Sequence, residues 1–148
     1  TADWSRLTPL PHILNGAGYT CVGLHSNRGS FYERSRRYAK MGFVDFHDQK
    51  RFSGDAAGWY SKDGAFFEQS VEKLKSVPKP FFGYAITLQS HGPFRNYRAE
   101  TKAKFGTVLA EFSDEEKDFL ISFRLVYQEL AGLFTFLKIL NYLIRPLW

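Results

Sequence analysis

The chain carries a single cysteine, Cys21, among 148 residues. That excludes an intrachain disulfide framework and a cysteine-ligated zinc site, while leaving the cellular compartment open. No clean membrane span is visible. The most apolar stretch, 130–148, is interrupted by Lys138, Asn141 and Arg145, and a span needs about 20 consecutive apolar residues. No secretory signal pattern opens the chain. Its first residue is Thr1 and not methionine, as expected of a processed or cut chain or one drawn from within a longer gene. Internal repeats and low-complexity tracts are absent. So are a Walker loop, G-x-S-x-G, G-x-G-x-x-G and H-E-x-x-H, which removes the nucleotide, serine-hydrolase and zincin signatures.

The composition that remains is globular. Hydrophobic residues make up 44% and charged residues 24%, too apolar for a disordered chain. The length suits one domain, or part of a larger one. The net charge of +5 is local. Between His25 and Arg51 stand Arg28, Arg34, Arg36, Arg37, Lys40, Lys50 and Arg51 against Glu33, Asp45 and Asp48. Such a cluster either attracts phosphate, nucleic acid or anionic lipid, or is a solvated basic helix face.

Along the chain, Leu10 to Leu14 reads as a short helix ended by Asn15-Gly16-Ala17-Gly18, residues that tolerate a left-handed helix end. Tyr19 to Leu24 reads as a buried strand. A loop, His25 to Ser30, leads to a helix over Phe31 to Met41, then a short extended piece at Phe43 to Phe46. His47 to Asp63 reads as loop. Gly64 to Val77 shows an amphipathic stripe of Phe67, Val71 and Leu74, stopped by Pro78 and Pro80. Phe81 to Leu88 is almost wholly apolar, as an inner parallel strand covered on both faces would be. Ser113 with Glu116 fits a capping box opening a last helix that runs through Phe134 or further. This order predicts an α/β fold with a parallel sheet between helix layers.

Ligands of such sheets sit beyond the strands' carboxyl ends. The loops there are His25 to Ser30 and Gln89 to Phe94, each with a histidine close to its strand's end. His25, Asn27, Tyr32, Arg34 and His91 supply donors suited to phosphate oxygens. The helix expected to begin near Phe31 adds its positive end. A histidine at a strand end is also a common structural hydrogen-bonder. His12 reads as structural and His47 as a surface or loop residue. Asp45, Asp48 and Asp55 lack the dense spacing of a calcium loop. The phenylalanine and tyrosine excess reads as core and not as an RNA-stacking platform.

At these residues the sequence resembles the lipoteichoic acid synthase family. The segment from His25 to Arg34, followed by Tyr38 and Met41-Gly42-Phe43, has the family's pattern of His-x-Asn/Asp, three residues, then Phe-Trp/Tyr-x-Arg. Thr8-Pro9-Leu10-Pro11, Gly58-Trp59 to Phe67, and Pro80 to Phe94 resemble the flanking blocks, so the likeness runs in order over about 8–94.

The resemblance implies a partial three-layer α/β/α sandwich of alkaline phosphatase and sulfatase type, mostly parallel and incomplete at both ends. It divides the chain into a family-like core at 8–94, a linker at 95–112, a helix at 113–138 and a tail of doubtful homology at 139–148. It implies a phosphoglycerol transferase on the extracellular face of a bacterial membrane, anchored by helices outside this chain. The donor would be phosphatidylglycerol or a related anionic lipid, and the acceptor a polyglycerolphosphate or glycan. Nucleic acid is not an implied partner; the remainder of the catalytic domain is.

His25 and His91 would contact phosphate, Tyr32 would line the headgroup pocket, and Asn27 and Arg34 would bind its glycerol end. Tyrosine where the family often has tryptophan, and asparagine for aspartate, alter the expected headgroup preference. The family's nucleophilic threonine and its ligands for manganese or a similar divalent metal fall outside this chain. No catalytic or metal residue is therefore expected here, and the chain alone is expected to be inactive. The alternatives are another sulfatase-superfamily phosphatase, sulfatase or phosphoethanolamine transferase, or a non-catalytic remnant that binds anionic lipid.

Overall fold

The computed structural model describes residues 7–94 and 110–139. Three parallel strands form one sheet in the order β2-β1-β3: β1 is Thr20–His25, β2 Asp45–His47 and β3 Phe81–Ile86. Helix α1 spans Leu10–Gly16, α2 Arg34–Lys40, α3 Asp63–Leu74 and α4 Asp114–Ile139. The α/β reading holds, with a parallel sheet between helices.

β1 is the central strand and the most buried one. Alternate residues of a strand point to opposite faces. Val22 and Leu24 join Phe52, Ala56, Phe66 and Phe67 in the core on the α3 side. On the other face Cys21 Sγ donates to the Pro11 carbonyl of α1 at 3.6 Å. Gly23 lies beneath Tyr38 of α2 and Phe46 of β2, in an aromatic group that includes Phe43 and Tyr84. α1 and α2 thus cover one face of the sheet and α3 the other. α4 packs on α3 through Leu130 and Leu133, and its Glu129 accepts from the Gly64 amide at 2.9 Å.

Several expectations hold locally. Gly18, at φ +84°, ends α1, and Gly42, at φ +96°, ends α2. His12 is structural: its Nε2 lies 3.0 Å from the Lys40 carbonyl. The capping box forms, since Ser113 donates to Glu116 Oε2 at 2.8 Å from its amide and 2.7 Å from its hydroxyl. The Glu116 amide returns to Ser113 Oγ at 3.3 Å.

Other expectations are corrected. β3 ends at Ile86, two residues earlier than expected; among the described residues it pairs with β1 alone and leaves Gly83, Tyr84 and Ala85 exposed, in keeping with a sheet of which this chain forms a part. The helix expected from Phe31 begins at Arg34. Before it, Tyr32 (φ 56°) and Glu33 (φ 52°) take left-handed conformations that break the helical hydrogen-bond run. The loop over 47–63 contains two short 3₁₀ turns, Gln49–Arg51 and Gly54–Ala56. No clean span was expected, yet among the described residues Asp114–Lys138 is one helix long and apolar enough to cross a membrane, by length and composition only. Most of the linker expected at 95–112, and all but Ile139 of the tail at 139–148, lie outside the described residues.

Candidate functional site

The chain runs from β1 through α2 to β2, then returns through α3 to β3 on the opposite side of β1. The order therefore reverses between β1 and β3, and open α/β sheets bind ligands beyond the carboxyl ends at such a reversal. His25 is the last residue of β1 and pairs in register with Ile86, the last of β3.

His25 is fully buried. Its Nδ1 lies 2.9 Å from the Ile86 carbonyl. A carbonyl only accepts, so Nδ1 carries the hydrogen and a neutral ring presents a lone pair at Nε2. That Nε2 is buried without a partner among the described residues. Burial pushes the His25 pKa down; the Ile86 carbonyl opposes this, and the positive charge of Arg34 adds to it. The Arg34 guanidinium therefore acts on this imidazole, and one of its terminal nitrogens, Nη1, is likewise buried and unpartnered. Buried donors and acceptors are nearly always satisfied, so two orphans near each other mark a place for a ligand.

The aromatic pair Phe31 and Tyr32 sits over Arg34, with ring centroids 5.4 and 5.3 Å from the guanidinium carbon. Tyr32 itself is 70% exposed. Its left-handed backbone, costly for an aromatic residue, turns the ring onto the guanidinium instead of along a helix. The positive helix end expected here is in use: the Ser35 amide donates to the Gly29 carbonyl at 3.0 Å.

The other two expected residues stand apart from this pair. Asn27 is buried, and its Oδ1 accepts from the Arg28 amide at 2.7 Å, so it shapes its own loop. His91 is exposed, with Nδ1 2.7 Å from the Gly92 carbonyl. Among the described residues no hydrogen bond or ring contact joins it to His25 or Arg34. Instead its ring meets the edge of Trp59, centroids 4.8 Å apart.

Trp59 was legible only as part of a Gly-Trp block. The fold delivers it through Gly58, at φ +89°, whose amide donates to the Ser26 carbonyl at 2.7 Å. A buried hydrogen bond between the Ser26 and Ser61 hydroxyls, 2.7 Å, fixes the same loop.

His47 is the further correction. It is buried at the end of β2, its Nε2 donating to Asp45 Oδ2 at 3.1 Å. Asp45 and His47 are two apart on a strand and so share a face, a pairing that a loop reading misses. Burial lowers the His47 pKa; Asp45 opposes it, and Arg51 and Lys73 reinforce it.

Comparisons with known proteins bear on this arrangement. The sulfatase family profile matches residues 2–144, so the chain belongs to the sulfatase family. Within it the chain is similar to lipoteichoic acid synthases. It is 39% identical over 79 residues to the lipoteichoic acid synthase-like protein YvgJ of Bacillus subtilis, covering 51% of this chain and 13% of that protein. It is 30% identical over 117 residues to lipoteichoic acid synthase 2 of the same organism, covering 77% of this chain and 17% of that one. The crystal structure of the lipoteichoic acid synthase LtaP from Listeria monocytogenes superposes with a TM-score of 0.73 at 23% identity, over 86% of this chain and 32% of that chain. The partial alkaline-phosphatase-like fold is thereby shown. The chain spans only 13–17% of the length of these two Bacillus relatives.

Proposed function

We propose that this chain forms the headgroup side of a phosphoglycerol transferase active site, with His25 and Arg34 holding the phosphate of a glycerol phosphate group. One observation carries the reading: His25 Nε2 and Arg34 Nη1, each without a partner among the described residues, are buried near each other where the strand order reverses. Similarity to lipoteichoic acid synthases supports glycerol phosphate as the group, phosphatidylglycerol or a related anionic lipid as donor, and a polyglycerolphosphate or glycan acceptor at the outer membrane face.

Each residue has a task in this reading. The planar Arg34 guanidinium donates to phosphate oxygens through charge-assisted bonds, and its fork can engage two of them at once. His25 enters the unliganded site neutral. It takes up a proton as the anion arrives, because a negative neighbour favours imidazolium. Tyr32 lifts from Arg34 to admit the ligand and then lines the glycerol. Asn27 holds the loop at its glycerol end, and His91, steadied by Trp59, closes on the phosphate from the β3 side.

Donors set in place before charge develops stabilise a phosphoryl transfer transition state. Sulfatase-family enzymes of this type use a divalent metal, which would polarise the phosphoryl group. Among the described residues no three histidine, cysteine, aspartate or glutamate side chains come together to hold one. No step here runs through a metal, and the chain alone is proposed to be inactive.

The test is a titration of the chain with glycerol 3-phosphate. Arg34→Ala should weaken binding by about tenfold or more, the worth of one charge-assisted hydrogen bond. Unchanged affinity would remove Arg34 from the headgroup site.

A further inference from the structure

Beyond the carboxyl ends of β1 and β3, the loop that follows His25 and the loop that carries His91 are both gripped by a third, residues 57–62, which leads into α3. Two independent sets of contacts make that grip.

The third loop is tied to the first next to His25. Ser26 directly follows His25. Its carbonyl accepts from the Gly58 amide at 2.7 Å, and its hydroxyl shares a hydrogen bond of 2.7 Å with the Ser61 hydroxyl. Both serines are buried, with 0% and 1% of their surface exposed. A buried hydroxyl pair of this kind is costly to open, because each partner would be left unpaired. The loop also closes on itself: the Ser61 amide donates to the Gly58 carbonyl at 3.2 Å, and the Lys62 amide to the Asp55 carbonyl at 2.7 Å. Trp59 therefore projects from a turn held at both of its sides.

The third loop is tied to the second through Trp59. Its ring meets that of His91 at a centroid distance of 4.8 Å and an interplanar angle of 68°, an edge-on geometry that aromatic rings favour. His91 Nδ1 lies 2.7 Å from the Gly92 carbonyl. A carbonyl only accepts, so Nδ1 is the donor and Nε2 is the atom left to meet a ligand. That bond reaches only the next residue in the chain, so it fixes the ring to a loop that is itself exposed. Trp59 is what relates the ring to the rest of the fold. The indole is 37% exposed and lies outside the core cluster around Val22 and Phe66, so its contact with His91 is not a by-product of core packing.

We infer that Trp59 is a positioning residue that aims His91 at the phosphate held by His25 and Arg34, and that the Ser26–Ser61 hydrogen bond sets Trp59 for this task. The loops after β1 and β3 then act as one unit. This rests on the headgroup reading of His25, Arg34 and His91, and the experiment separates the two.

Two quantities are read on the full chain and its variants: the ring-proton NMR signals of His91, and affinity for glycerol 3-phosphate. In the unmodified chain the indole ring current should displace the His91 signals from their positions in an unstructured peptide. Trp59→Leu should return them toward those positions and weaken glycerol 3-phosphate by about threefold to tenfold. Trp59→Phe keeps an aromatic ring and should recover most of both. Ser61→Ala should lower the melting temperature, as any buried hydroxyl left unpaired does, and should also move the His91 signals toward those of Trp59→Leu. His91 signals that Trp59→Leu does not move would overturn the positioning role. So would full affinity in Trp59→Leu where Arg34→Ala has weakened it. A lower melting temperature in Ser61→Ala with the His91 signals unmoved would overturn the coupling, since the serine pair would then be a structural bond alone. If Arg34→Ala leaves glycerol 3-phosphate binding intact, the headgroup reading fails, and the hold of Trp59 and Ser61 on His91 stands or falls on the ring signals.

Discussion

Asp63 and Gln89 hold each other across two elements. The Asp63 amide donates to Gln89 Oε1 at 2.7 Å, and the Gln89 amide returns to Asp63 Oδ1 at 3.1 Å, with the Leu88 amide also on that oxygen at 3.3 Å. Ser122 of α4 donates to the Gln89 carbonyl at 2.5 Å. The first residue of α3 thus anchors the turn that leads to His91. Asp63→Ala should cost about 1–3 kcal/mol by leaving buried amides unpaired, and amide hydrogen exchange at Leu88 and Gln89 should quicken. Asp63→Asn keeps an accepting oxygen and should cost less. Equal, small effects from both would show that the turn does not depend on this side chain.

Stability should respond to pH in two opposite ways. Burial raises the pKa of Asp63 and Glu129, against their amide hydrogen bonds. Their folded pKa lies above the unfolded value near 4, so this contribution is complete below about pH 4. It is lost as pH rises through the raised values. His25 and His47 are shifted downward. Their contribution is complete above the unfolded value near 6.5 and lost as pH falls through the depressed values. A melting-temperature scan should decline on acidification below about pH 6.5, and His47→Gln should flatten that limb. A limb as steep in the variant would remove His47 as a source.

Gly23 is a packing requirement. A Cβ there would lie 2.8 Å from Phe46 Cδ2 and 3.0 Å from Tyr38 Cδ2. Both rings belong to the aromatic layer between α2 and the sheet. Gly23→Ala should destabilise by about 1–3 kcal/mol through overpacking, read from urea unfolding. Gly16→Ala, with open space around it, is the control and should have a far smaller effect.

The outer surface of α4 exposes Phe119, Phe123, Tyr127 and Phe134. An apolar surface of that kind favours association with itself or with a partner. Sedimentation velocity should show average mass rising with chain concentration, and Phe123→Glu/Tyr127→Glu should reduce it. A monomer at all concentrations would contradict this.

Much of this arrangement was legible before the fold. Glycines and asparagine marked the end of α1, Ser113 and Glu116 marked the start of α4, and apolar runs marked β1 and β3. Strand-end histidines and Arg34 were visible because loops beyond parallel strands collect ligand chemistry. Two features were not. The left-handed pair at Tyr32 and Glu33 has no periodic signature. The seating of Trp59 on His91 arises from Ser26 and Ser61, 35 positions apart in sequence.

The most direct test is the protonation of His25 with and without a ligand. The probe is glycerophosphoglycerol, a phosphodiester whose own charge is constant between pH 5 and 8. In the free chain, nitrogen NMR of the His25 ring should show a neutral imidazole protonated at Nδ1, titrating below the usual value near 6.5. With saturating phosphodiester the account predicts that the His25 pKa rises, that Nε2 gains a proton, and that Arg34→Ala abolishes the rise. A His25 titration that the phosphodiester does not move would contradict the shared phosphate site.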